Sequence, residues 1–199
     1  MTEVSLITTI YSIAPVMAAV TKLSPNRIIL LREDDAPEEK LRAEQMIRET
    51  LGKVIEIDTK ITSIYDVVDI ARDTVDVIEE ESAHDRVVVV NITGARKTQS
   101  LGALYGAYAR MDLVERVIYI TEEDNEIVEL PMLSFDLSKT KKRMLEEIDK
   151  GEKSVRKIAK KVGVTRSMAY YHIRELKKAG YLQDKKGLRI TTAGKLAVL

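Results

Sequence analysis

The stretch "RVVVV" at residues 86–90 limits the possible folds more than any other part of the chain. A strand without a polar face cannot lie against water, so both of its sides must be covered, as in a parallel sheet with helices on each face. The surrounding sequence supplies those layers. "VSLIT" (4–8) reads as a strand, and Ala14 to Leu23 as a short helix with Pro15 in its first turn. "RIILL" (27–31) is a second strand, after which Asp35 is expected to cap a helix from about Ala36 to Leu51, ended by Gly52. "VIEI" (54–57) reads as the third strand, and Ser63 with Asp66 as a capping box opening a helix to about Glu81. A helix from Lys97 to Met111 follows the valine run, and "RVIYIT" (116–121) and "EIVEL" (126–130) form a terminal pair around "EEDN". This is an α/β pattern, a Rossmann-like, mostly parallel sheet.

In strand order 3-2-1-4-5, strands 1 and 4 are neighbours whose outgoing connections leave in opposite directions and open a crevice. That order brings together "TTIYS" (Thr8, Thr9, Ile10, Tyr11 and Ser12) and "NITGARK" (91–97). The second segment can be read in three ways. A Walker-type loop would need a second glycine before the lysine and four residues between the two glycines, and neither is present. A plain strand-to-helix turn would use Gly94 for backbone geometry and leave Arg96 in solvent. A phosphate or nucleotide site would use the amides of Gly94 to Lys97 at a helix start, where the dipole favours anions. In that last reading Arg96 and Lys97 neutralise charge, and Asn91 and Thr93 hydrogen-bond sugar or base. "LGALYGAYA" (101–109) places Gly102, Ala103, Gly106 and Ala107 in a helix, where small residues permit close approach either by its own domain or by a second copy.

The net charge of zero conceals an asymmetry. Residues 1–137 hold 14 Lys and Arg against 26 Asp and Glu, whereas residues 138–199 hold 18 against 6. The division indicates an N-terminal domain at 1–130, a linker at 131–138 containing Phe135, and a basic domain at 139–199 suited to nucleic acid. In the basic part, a helix at 139–150 buries Met144, Leu145 and Ile148. Ser154 opens "VRKIAKKV", Gly163 turns the chain, and Thr165 caps "RSMAYYHIRELKKAG". Two short strands around "DKKG" and a final short helix at Thr192 complete the pattern. "SVRKIAKKVGVTRSMAYYHIRELKKAGYL" resembles the winged helix-turn-helix superfamily. Its third helix offers Arg166, Ser167, Tyr170, Tyr171, Arg174 and Lys178 to a major groove, and its wing offers Lys185, Lys186 and Arg189 to phosphates. His172 is expected to be a half-buried hydrogen-bonding residue.

A Rossmann-like domain with "NITGARK" after strand 4, joined to a winged helix, resembles the CRISPR-associated transcriptional regulators with a CARF domain. The CARF signature N/D-x-[ST]-G-G-x-[KR] is matched at Asn91, Thr93, Gly94 and Lys97 and departs at Ala95, where a second glycine is usual. The resemblance implies a homodimer that binds cyclic oligoadenylate, the four-membered ring first, at both the Thr8–Ser12 and Asn91–Lys97 loops. It also implies a winged helix bound to double-stranded DNA at CRISPR loci. An alternative within the family is slow, metal-independent cleavage of the ring, with Lys97 and Thr9 or Ser12 positioning the ribose hydroxyl. Sensing of another nucleotide or sugar phosphate, and a winged helix that docks protein, also stay open.

Other classes fit less well. The chain has no cysteine and only two histidines, His84 and His172, far apart in sequence, which argues against disulfides and against thiolate or imidazole metal sites, so no cofactor is expected. The apolar stretch near the start lacks an upstream Lys or Arg and is broken by Pro15, unlike a signal peptide. With no long apolar run for a membrane span, the expectation is a cytoplasmic protein.

Overall fold

A computed structural model describes residues 3–132, 137–184 and 187–198. It divides into two compact units, Met1–Leu130 and Pro131–Leu199. Among the described residues, no helix is long and apolar enough to cross a membrane.

The first unit is the expected Rossmann-like sheet. Strands β1 (Val4–Thr9), β2 (Arg27–Arg32), β3 (Glu56–Ile61), β4 (Val87–Asn91), β5 (Val114–Ile120) and β6 (Ile127–Leu130) lie in the order β3-β2-β1-β4-β5-β6. Only the β5–β6 pair is antiparallel. Between the strands run helices α1 (Ile13–Leu23), α2 (Glu38–Leu51), α3 (Val67–Ala83) and α4 (Lys97–Ala109). The chain winds outward from β1 to β3, then crosses back to β4. Right-handed crossovers therefore place α1 and α2 on one face and α3 and α4 on the other. Leu6, Ile10, Ile28, Leu30, Val89 and Ile118 pack beneath α1 and α2. Val88, Val89 and Val90 are at most 1% exposed, as a strand covered on both sides requires.

The local boundaries differ from expectation where neighbouring backbone intervenes. The α2 helix starts at Glu38 with Pro37 as its N-cap, so Asp35 caps nothing. A residue preceding proline is pushed out of the helical region, which bars Ala36. Strand β3 begins at Glu56 rather than Val54, because the N–H groups of Val54 and Ile55 are both used on the Leu51 carbonyl in the turn closing α2. Asp66, not Ser63, is the N-cap of α3: its carboxylate accepts from the amides of Val68 and Asp69 at 3.0 and 3.1 Å, while the Ser63 hydroxyl accepts from Asp66 N–H.

The small residues of α4 are used within the chain. A Cβ on Gly102 would lie 2.6 Å from the Ile70 side chain, and one on Gly106 would lie 2.7 Å from the Ala71 carbonyl oxygen. The two glycines therefore seat α4 against α3.

The second unit consists of α5 (Lys139–Asp149), α6 (Val155–Val162), α7 (Arg166–Lys178), a two-stranded β7–β8 hairpin (Leu182–Gln183 and Arg189–Ile190) and α8 (Thr192–Leu196). Its core joins Met144, Leu145, Ile148, Ile158, Val162, Ala169, Ile173, Leu176 and Tyr181. Gly163, at φ +82°, makes the left-handed turn from α6 to α7. This is a winged helix-turn-helix.

Candidate functional site

The tips of β1 and β4 meet, as the strand order demands. Their contact is Gly94, where a Cβ would lie 3.0 Å from the Thr9 carbonyl oxygen and 3.1 Å from the Tyr11 amide nitrogen. A side chain here would press on the facing backbone, so glycine suits this close approach of the two loops. Beside the contact opens a crevice of about 370 Å³, lined by Tyr11, Ser12, Thr93, Gly94, Ala95 and the β5–β6 turn, among others.

The motif residues divide into scaffold and surface. Asn91 is fully buried, and its Oδ1 accepts from Thr93 N–H at 3.1 Å and Thr93 Oγ1 at 2.6 Å while its Nδ2 donates to Thr8 Oγ1 at 3.2 Å. Thr93 Oγ1 in turn accepts from Ile120 N–H at 2.7 Å, fastening the loop to β5. These side chains hold the loop in shape; Asn91 is enclosed, whereas Thr93 is half-buried and also lines the crevice. Thr8 and Ile10, both fully buried, are likewise scaffold and core. Thr9 is 1% exposed with an unpartnered hydroxyl, so it is not placed to reach a ribose from the surface.

What remains open to a ligand is Tyr11, Ser12, Ala95, Arg96, Lys97 and the first amides of α4. The N–H groups of Ala95, Lys97 and Thr98 donate no hydrogen bond among the described residues. They lie at the positive end of a 13-residue helix with Arg96 and Lys97 exposed beside them. The Arg96 guanidinium sits 5.8 Å over the ring of Tyr65, a cation–π contact that steers it. Ala95 adopts φ +134°, a region that side chains seldom occupy, at the position where the motif usually has glycine.

A buried polar group under this helix start was not foreseen. Lys40 Nζ donates to Glu33 Oε2 at 2.6 Å, and Gln99 Nε2 donates to the same oxygen at 2.9 Å. Gln99 Oε1 also accepts from Arg96 N–H at 3.4 Å. Burial alone would raise the Glu33 carboxyl, but the hydrogen bonds from Lys40 and Gln99 outweigh it and hold the group below the usual carboxylate range. A lysine on a polar helix reads as solvated in sequence, and only the ending of β2 next to α4 shows otherwise. The β5–β6 turn in the crevice wall was equally invisible, since it is far from both loops in sequence.

On the winged helix, Arg166, Ser167, Tyr170, Tyr171, Arg174 and Lys178 are all exposed on α7, and Arg189 is exposed on β8. Arg166 lies 5.6 Å over the Tyr170 ring, so the two act as a unit. Tyr171 hydrogen-bonds Glu175, which also pairs with Lys141 at 3.1 Å. His172 is half-buried beside the same carboxylate at 3.5 Å. Lys185 and Lys186 lie outside the described residues.

Comparisons with known proteins agree with this architecture. The family model HFX_2341_N-like, N-terminal, matches residues 3–126, and the model for winged helix-turn-helix DNA-binding matches residues 137–183. No curated protein matches. Among solved structures, Enterococcus italicus Csm6 bound to cyclic hexa-2'-fluoro-hexa-dAMP is similar at 13% identity and TM-score 0.55, covering 91% of this chain and 57% of that one. A Type III CRISPR defence DNA nuclease activated by cyclic oligoadenylate is similar at 14% identity and TM-score 0.50, covering 91% of this chain and 34% of that one. Can2 from Sulfobacillus thermosulfidooxidans, in complex with cyclic tetra-adenylate, is similar at 17% identity and TM-score 0.46, covering 98% and 63%. The chain thus spans between 34% and 63% of these proteins' lengths. At such identities the likeness is one of fold. The chain belongs to the HFX_2341_N-like, N-terminal family, and its second unit matches the winged helix-turn-helix DNA-binding model.

Proposed function

We propose that this protein is a ligand-responsive transcriptional regulator of CRISPR loci. Its N-terminal unit binds cyclic oligoadenylate, and its winged helix binds double-stranded DNA. One observation carries the reading: Gly94 against Thr9 and Tyr11 joins two loop tips beside free helix amides and two exposed cations. That is a site for a polyanion. Two solved proteins of the same fold, the Type III CRISPR defence DNA nuclease activated by cyclic oligoadenylate and Csm6 bound to cyclic hexa-2'-fluoro-hexa-dAMP, support the choice of polyanion.

The active form is proposed to be a homodimer, because a symmetric ring presents the same half to each copy on a two-fold axis. Val68, Leu101 and Tyr105, exposed on the paired helices α3 and α4, offer that second copy an apolar face. Ligand then alters DNA binding by favouring one arrangement of the two winged helices. Burial of Thr9 counts against ring cleavage, since one of the hydroxyls invoked for it is enclosed.

Isothermal titration of the full chain with cyclic tetra- and hexa-adenylate tests the sensor. Saturable binding of either ring, lost in Lys97→Ala, is the expected result. Absence of heat and of any thermal shift with both rings would exclude it.

A further inference from the structure

The turn from β5 to β6 is a wall of the crevice that neither motif accounts for, and it is held firmly. Thr121 Oγ1 donates to the Asp124 carboxylate and accepts from Glu126 N–H at 2.8 Å, while Thr121 N–H donates to the Glu126 carbonyl at 3.0 Å. Glu126 pairs with Lys22 of α1 at 2.8 Å, anchoring the turn to the end of that helix. The preceding residue, Ile120, donates its amide to Thr93, which ties the turn to the motif loop. Two side chains of the turn, Glu122 and Asn125, line the crevice and make no hydrogen bond or ion pair among the described residues. The backbone of Asn125 is left-handed at φ +55°, a conformation asparagine tolerates.

Glu122 does not suit a phosphate. A carboxylate only accepts hydrogen bonds, and it repels a second anion. The crevice runs from this turn to Gly94 and Ala95, directly before Arg96, Lys97 and the amides that open α4, and so suits a ligand that is anionic at one end and carries donors at the other. A nucleotide with an amino-substituted base has that form. Tyr11, 46% exposed in the same crevice, adds a ring on which a base can stack, with its hydroxyl held 3.4 Å from Glu39. Asn125 supplies a donor and an acceptor together.

We propose that Glu122, Asn125 and Tyr11 form the base-reading subsite. In it Glu122 accepts from an exocyclic amine, selecting adenine over a base that carries oxygen at that position. The inference rests on the nucleotide-sensor reading above. A ribose 2'-hydroxyl is the other donor whose chemistry suits Glu122.

The test measures binding of cyclic tetra-adenylate, its inosine analogue and its 2'-deoxy analogue to the full chain and to Glu122→Gln. Wild type is expected to favour the adenine ring over the inosine ring by about tenfold or more. Glu122→Gln, whose amide can donate to the inosine oxygen, should narrow that ratio to about threefold or less while melting as wild type does. An unchanged ratio in the variant overturns the proposal. An effect of Glu122→Gln on the adenine ring that vanishes with the 2'-deoxy ring overturns it too, assigning the carboxylate to ribose. If wild type binds none of the rings, the sensor reading fails first and this inference with it.

Discussion

Gly94 and Thr9 meet backbone to backbone across the switch point of the sheet, where a Cβ on Gly94 would lie 3.0 Å from the Thr9 carbonyl oxygen. Because the atoms facing Gly94 are backbone and not a flexible side chain, Gly94→Ala requires the loop after β1 to give by a few tenths of an ångström. It is expected to lower stability by about 1–3 kcal/mol. It should also weaken cyclic oligoadenylate binding by moving the α4 amides away from the first loop. Urea denaturation and titration calorimetry check the two effects separately.

Ala95 carries strain where the motif usually has glycine. At φ +134° a side chain costs about 1–3 kcal/mol, part of which glycine returns as unfolded-state entropy. Ala95→Gly is therefore expected to raise stability by about 1 kcal/mol, a melting shift of about 2–4 °C for a chain of this size. No gain in a thermal scan would mean that the loop relaxes around alanine.

Three buried carboxylates make the N-terminal unit sensitive to acid. Burial alone would raise Glu33, Glu44 and Glu81, but hydrogen bonds reverse that effect in each. Lys40 and Gln99 bond Glu33, Thr59, Arg32 and Arg48 bond Glu44, and Ser5 and Arg86 bond Glu81. A carboxylate lowered in the folded state stabilises fully above its unfolded value, about 4.3, and loses that contribution as pH falls through the folded value. Urea midpoints should thus stay level from neutral pH to about pH 5 and drop steeply below about pH 4. Lys40→Met leaves Glu33 buried without its cation and should cost about 3–5 kcal/mol at pH 7. Restoring neutrality with Glu33→Gln in the same chain should recover much of the loss.

On the winged helix, Arg166 and Arg189 are expected to behave differently. Arg166, braced on Tyr170 at the start of α7, is proposed to read base edges. Its change to alanine should cost about 1–3 kcal/mol on the preferred site and flatten discrimination. Arg189, exposed on the hairpin, is proposed to meet phosphate, and its loss should weaken binding to all sequences and reduce the salt slope by about 1. Fluorescence anisotropy over a salt series distinguishes the two outcomes. Loss of specificity on changing Arg189 would contradict this assignment.

Much of the architecture was written locally. The valine run demanded a sheet covered on both faces, the alternation of strand and helix signals implied right-handed crossovers, and Gly163 with Thr165 marked the helix-turn-helix. Such features depend on residues near one another in the chain, so periodicity and capping reveal them. The meeting of "TTIYS" with "NITGARK" also followed, because the strand order leaves one place for it.

The roles of individual side chains belonged to the tertiary structure. Asn91 and Thr93 carry the motif, yet they bond each other, Thr8 and Ile120, so the residues that look most like ligands are the loop's own frame. Gly102 and Gly106 could serve either a second copy or their own domain, and the answer lay in α3, some thirty residues upstream. Glu33, Lys40 and Gln99 come from three separate segments, and Glu122 reaches the crevice from a fourth. Hydrogen bonding and steric exclusion act over a few ångströms, whatever the separation along the chain. The sequence by itself therefore determined which elements form and which loops converge, while packing decided which of their groups stay free for a ligand.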